Sequence, residues 1–259
     1  MQSSNPVLGR AFGNGKRGYA AFDPSSTTTQ VDSSQLEELY NAPAASSLRT
    51  GRMTIDDVVT RTGILFAVLV VTGAGAWTLN FGGGALMVGL LGGFVLAMVN
   101  SFSKTVRPAL IVAYAGFQGV TLGTLSHIYN SAYPGIVSQA VIATLCAFAG
   151  MLFAYRSGKI RVTPKFTRVM LGSLIGYLIL SVVTIFTGFP AGGLGLLIAV
   201  AGVGLASFFL VLDFDQIEKG IAAGAPQQES WRAAFGLMVT VVWLYLEVLR
   251  LLSILRSND

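Results

Sequence analysis

The sequence predicts an all-α integral membrane protein built as a seven-helix bundle, and three observations carry that reading. Only 11% of the 259 residues are charged and 53% are hydrophobic, whereas soluble domains carry about 25% charged residues. Charge-free apolar runs recur from residue 62 onward, each long enough for the roughly 20 residues that cross a bilayer. Lys and Arg collect in every second loop between those runs.

Residues 1–51 stand apart as a cytoplasmic tail. They are rich in Ser, Thr, Asn, Gly, Pro and Ala with little apolar periodicity, a composition that predicts disorder. The segment SSQLEELYNA, residues 33–42, fits one or two transient helical turns and is a candidate docking element. A basic start followed by an apolar core is lacking, so the opening does not read as a secretory signal peptide.

Residues 52–259 form the predicted transmembrane domain. Thr54 reads as an N-cap, with Asp56 and Asp57 in the first helical turn where carboxylates favour the positive end of the helix dipole. The charge-free run from Arg61 to Lys104 breaks at NFGGG (residues 80–84), giving two spans. Lys104 and Arg107 mark a short basic loop, and Pro108 sits where a third helix can begin. The next run divides at NSAYPG (residues 130–135), before the loop of Arg156, Lys159, Arg161, Lys165 and Arg168. Residues 169–212 divide at 188–193, a polar loop is predicted from 218 to 232, and the last span covers 233–255.

The cationic loops and the N-terminus fall on one side, while the turns at 80–84, 130–135 and 188–193 carry no Lys or Arg. The expected location is the plasma membrane, and the positive-inside rule predicts a cytoplasmic N-terminus and an extracellular C-terminus. That also accounts for the net charge of +5 without a nucleic-acid partner. Gly89/Gly93, Gly119/Gly123 and Gly172/Gly176 are spaced for close helix contacts. Cys146, the sole cysteine, is predicted to be a buried structural thiol and can form no intrachain disulfide.

Few groups at membrane depth can do chemistry. Glu247 lies within the last span, three residues before Arg250. A carboxylate in hydrocarbon costs on the order of 2.5–3.5 kcal/mol, so the last helix is predicted to turn it toward other helices or a wet cavity. Asp213 follows the sixth apolar run, sharing a face with Gln216 and Ile217 while Asp215 points away. Asp213 either begins the headgroup zone or lies inside the bundle against the last helix. His127, beside Ser126, reads as an interfacial residue, since adjacent side chains diverge by about 100° on a helix. No nucleophile elbow, P-loop, dinucleotide fingerprint or zinc motif is present. The sequence therefore predicts no enzyme and no tightly bound cofactor.

LVLDFDQIEKG (residues 210–220), LYLEVLRLLSIL (244–255) and YAGFQGVTLG (114–123) together resemble the signature of the transmembrane Bax inhibitor motif family, also called Bax inhibitor/YccA. The resemblance covers roughly residues 54–255, and the tail and MTIDDVVTRTG opening are similar to the actinobacterial branch of the bacterial proteins. It implies six helices wrapped around a central seventh, and a proton-sensitive calcium leak whose two carboxylates share a proton. Mapped by motif, these are Asp213 and Glu247, which would also be transient calcium ligands. Asp215, Arg250 and Lys104 are the candidate supporting residues. Glu247 stands where the bacterial channels carry Asp. Those channels also have an arginine on the second helix that locks the first carboxylate, and the stretch 100–104 here offers only Lys104.

The expected partners are the bilayer, calcium ions, protons and, as an alternative, another membrane protein. A non-transporting regulator, docking through the tail on a membrane protease or similar protein, and a proton/cation exchanger are the competing functions. Oligomeric state is left open by the sequence.

Overall fold

The computed structural model describes residues 51–188, 190 and 192–257. The predicted disorder of the tail and the docking segment at 33–42 lie outside the described residues. The helices, numbered in chain order, are α1 (Ile55–Thr78), α2 (Gly83–Phe102), α3 (Pro108–Ala132), α4 (Ile136–Arg156), α5 (Pro164–Thr187), α6 (Gly192–Ala222) and α7 (Glu229–Ser257). All seven are long and apolar enough to cross a membrane. Among the described residues no strand is formed, only an isolated bridge between Arg52 and Pro226. Large apolar side chains such as Val70, Phe94, Ile142 and Leu178 stand exposed on the outer faces. Water would disfavour so broad an apolar surface, and lipid accommodates it.

The entry to α1 follows the sequence closely. Thr54 Oγ1 accepts from the Asp57 amide at 3.2 Å, and Asp57 Oδ2 accepts from the Thr54 amide at 3.1 Å, which closes a capping box. Gln227 Nε2 donates to Asp57 Oδ1 at 2.9 Å, and the Met53 amide donates to the Ala225 carbonyl at 2.8 Å. Arg61 lies 5.3 Å from the Trp231 ring centroid and donates to the Gln227 carbonyl. The start of α1 is thereby pinned to the turn between α6 and α7.

Helix boundaries differ from expectation at two places. α5 begins at Pro164, five residues before the apolar run, because Thr163 caps it by accepting from the Phe166 amide at 3.2 Å. The predicted loop at 218–232 shrinks to residues 223–228, since α6 continues to Ala222 and α7 starts at Glu229. Charge alone does not end a helix. With 31 residues, α6 is about 46 Å long at 1.5 Å per residue, more than the roughly 30 Å of hydrocarbon. Its last turns emerge into a polar zone, where Asp215 and Lys219 pair at 2.6 Å.

Close packing centres on α3 and α7, about half or more of whose spanning residues are buried. The glycines of α3 allow backbone approach: a Cβ on Gly123 would strike the backbone of Gly73 on α1, and one on Gly119 would strike the carbonyl of Leu69. On α2, a Cβ at Gly89 would come 3.2 Å from the Phe117 carbonyl. Gly172 and Gly176 differ from expectation, being exposed with open space around them. Their spacing is that of a contact face, but α5 turns that face outward. Cys146 is likewise exposed rather than buried. A span that is apolar all round gives no periodic signal to separate lipid-facing from buried positions.

The core joins Leu65 of α1, Tyr114 and Leu122 of α3, Leu210 and Phe214 of α6, and Met238, Val242 and Leu249 of α7. α7 packs directly on α1, α3, α4 and α6. α2 rests chiefly on α3, and α5 on α6, so these two reach α7 through individual side chains rather than along their length.

Candidate functional site

Glu247 is only 3% exposed, and its carboxylate is held from three directions. Tyr177 of α5 donates its hydroxyl proton to Oε2 at 2.6 Å, Trp243 Nε1 donates to Oε1 at 3.0 Å, and Arg250 Nη1 lies 3.3 Å from Oε2. Arg250 Nη1 also donates to the Tyr177 oxygen at 3.2 Å. Gly202 of α6 makes the room, since a Cβ there would stand 2.5 Å from Oε2. Burying a carboxylate is costly unless it is paired and hydrogen-bonded, and this cage provides both. The i+3 pairing of Glu247 with Arg250 is formed as the spacing suggested. Trp243 could have been found the same way, one turn earlier on the same face. Tyr177 had a weaker signal: a tyrosine midway along an aliphatic run. Gly202 had none, because its role depends on a helix far away in sequence.

Asp213 lies inside the bundle on its predicted face. It lines a cavity of about 210 Å³ together with Gln216, Ile217, Gly220, Glu229 and Arg232, while Asp215 points elsewhere and pairs with Lys219. Its Oδ2 is buried with no hydrogen-bond partner. The Thr240 hydroxyl of α7 stands beside the carboxyl but donates to the Gly236 carbonyl at 3.2 Å. The cavity lies at the end of the bundle that carries the basic loops.

The expectation that Asp213 and Glu247 hydrogen-bond to each other is not met. Asp213 faces Thr240, seven residues before Glu247 on α7, or about 10 Å along the axis. Glu247 abuts Gly202, eleven residues before Asp213 on α6, or about 16 Å. α6 and α7 run antiparallel, so the two acids mark successive levels of one seam. The family resemblance had implied that the two would meet.

Lys104 does not line the Asp213 cavity. Its side chain is exposed at the α2–α3 turn, and its contribution is a carbonyl. Arg232 supplies the cation instead. It pairs with Glu229 at 2.9 Å and donates to the carbonyls of Ser103 at 3.0 Å and Lys104 at 3.2 Å. In the sequence Arg232 stood only at the end of the predicted polar loop at 218–232. His127 packs edge-on against Trp77 at 5.4 Å, and its neighbour Ser126 bonds the Tyr245 hydroxyl at 2.7 Å. No nucleophile–base pair forms there. Among the described residues no group of three or more His, Cys, Asp and Glu could hold a metal ion.

Seven apolar helices with carboxylates turned inward along the α6–α7 seam define a multi-pass membrane protein. A family model described as Bax inhibitor 1 like matches residues 5–257, and the chain belongs to that family. The match takes in most of the tail, which the motif resemblance had left outside. No curated protein matches the chain.

Proposed function

We propose that this protein is a pH-sensitive calcium leak of the plasma membrane, non-enzymatic, with the α6–α7 seam as its ion path. The observation that carries the reading is Asp213: a carboxylate with one oxygen buried and unpartnered beside a cavity. Carboxylate oxygen is the ligand a hard divalent cation prefers. Calcium takes six to eight oxygens, so two acids at different levels act as transient stations, with water and backbone carbonyls completing each shell. Arg232 and Glu229 set the charge at the Asp213 mouth. Glu247, fastened by Tyr177, Trp243 and Arg250, acts as the inner gate. Membership of the Bax inhibitor 1 like family supports the reading. The distribution of Lys and Arg supports a cytoplasmic N-terminus and an extracellular C-terminus.

The sign of the pH effect follows from Asp213. Protonation removes its charge and an acceptor, so flux falls as pH drops through its titration. The acids sit about two to three turns apart along the seam, too far to share a proton directly. The test is calcium flux into liposomes holding the purified protein, across a pH series, for wild type, Asp213→Asn and Glu247→Gln. Each amide variant is expected to remove a distinct part of the pH dependence, and the double variant the sum of the two. One midpoint and slope shared by all the proteins would overturn the assignment. No flux in partner-free liposomes would leave the non-transporting regulator, and stoichiometric proton counterflow would mark an exchanger.

A further inference from the structure

A second, larger cavity opens between α1, α4, α6 and α7, distinct from the Asp213 cavity though Ile217 lines both. Its volume of about 1030 Å³ is at the upper end of the roughly 300–1,000 Å³ of small-molecule sites. Val59, Phe66, Phe148, Leu152 and Leu237 make its walls apolar, and Arg156 and Arg161 stand at its rim at the basic-loop end. The two acids at that rim are already engaged: Tyr155 donates its hydroxyl proton to Glu218, and Asp215 pairs with Lys219. The described residues give neither Arg156 nor Arg161 a hydrogen bond or ion pair. In the wall, Thr62 Oγ1 is buried without a partner.

An apolar slot topped by two unengaged guanidinium groups selects an amphiphile. An alkyl tail fills the slot, and an anionic head meets a planar array of donors suited to phosphate oxygens. We propose that this cavity binds one acyl chain of an anionic glycerophospholipid from the surrounding leaflet, with its phosphate on Arg156 and Arg161. A zwitterionic lipid fits the slot but brings a cation to the same two arginines, so the site discriminates by headgroup charge.

The test uses the full chain purified in an uncharged detergent. Dioleoyl phosphatidylglycerol is expected to raise Tm by several degrees and to survive as one retained lipid in native mass spectrometry. Dioleoyl phosphatidylcholine is expected to do neither. The double variant Arg156→Gln/Arg161→Gln loses both effects, while Lys165→Gln/Arg168→Gln, in the same basic stretch but not lining the cavity, keeps them. Gly63 lines the cavity with open space where a Cβ would stand, so Gly63→Phe fills the slot and also loses the effect. Equal stabilisation by the two lipids would overturn the proposal, as would retention of the phosphatidylglycerol effect in Arg156→Gln/Arg161→Gln. Stabilisation by oleate with none by phosphatidylglycerol would overturn the choice of a phospholipid. If Gly63→Phe fails to fold, the paired arginine variants decide alone.

Discussion

Tyr177 on α5 donates its hydroxyl proton to Glu247 on α7 over 2.6 Å and accepts from Arg250 at 3.2 Å. One phenol thus satisfies both members of an ion pair and ties α5 to α7. α5 otherwise packs chiefly on α6, through contacts such as Phe166 with Phe208 at 6.1 Å.

Tyr177→Phe keeps the ring and removes the hydroxyl. Leaving a buried acceptor short of a donor costs about 1–3 kcal/mol, so Tm in detergent is expected to fall. Hydrogen exchange should rise across residues 164–187 more than in α3. Unchanged exchange in α5 would show that its packing on α6 holds it without the phenol.

The glycines divide into two groups by their surroundings. Gly123→Ala forces a Cβ against the Gly73 backbone, where neither side can yield by rotating a side chain. Overpacking of this kind costs about 1–3 kcal/mol. Gly172→Ala meets nothing within 4 Å and should be neutral or stabilising by up to about 1 kcal/mol. Thermal melts of the two variants side by side check the contrast.

Arg232 sets the charge at the Asp213 cavity. Arg232→Gln removes a cation from its lining and leaves Glu229 unpaired, and both changes make the mouth more attractive to calcium. Flux at neutral pH is expected to rise several-fold, with the gain shrinking at high salt as screening takes hold. A lower flux would mean that the bonds from Arg232 to Ser103 and Lys104 matter more than its charge.

Orientation can be read directly. A reporter fused after Asp259 is expected to read extracellular and one at Met1 cytoplasmic. Both ends on one side would contradict an odd number of spans.

Much of this was legible in the chain, since span count rests on local quantities: the length of a charge-free run, a turn composition, a capping threonine. Thr54 with Asp57, and Glu247 with Arg250, are near in sequence, so helical periodicity alone brings them together. The inward turn of Glu247 followed from the cost of a carboxylate in lipid. Only tertiary structure decided which glycines meet a neighbour. Gly123 and Gly172 sit in equivalent patterns, but α3 is enclosed and α5 is peripheral. It also decided that Asp213 and Glu247 occupy different levels, because the register of α6 against α7 is set by residues such as Gly202 and Thr240, far apart in sequence. The cation beside Asp213 came from Arg232, in the first turn of α7, for the same reason: which residues line a cavity depends on the packing of distant helices, and no local pattern records it.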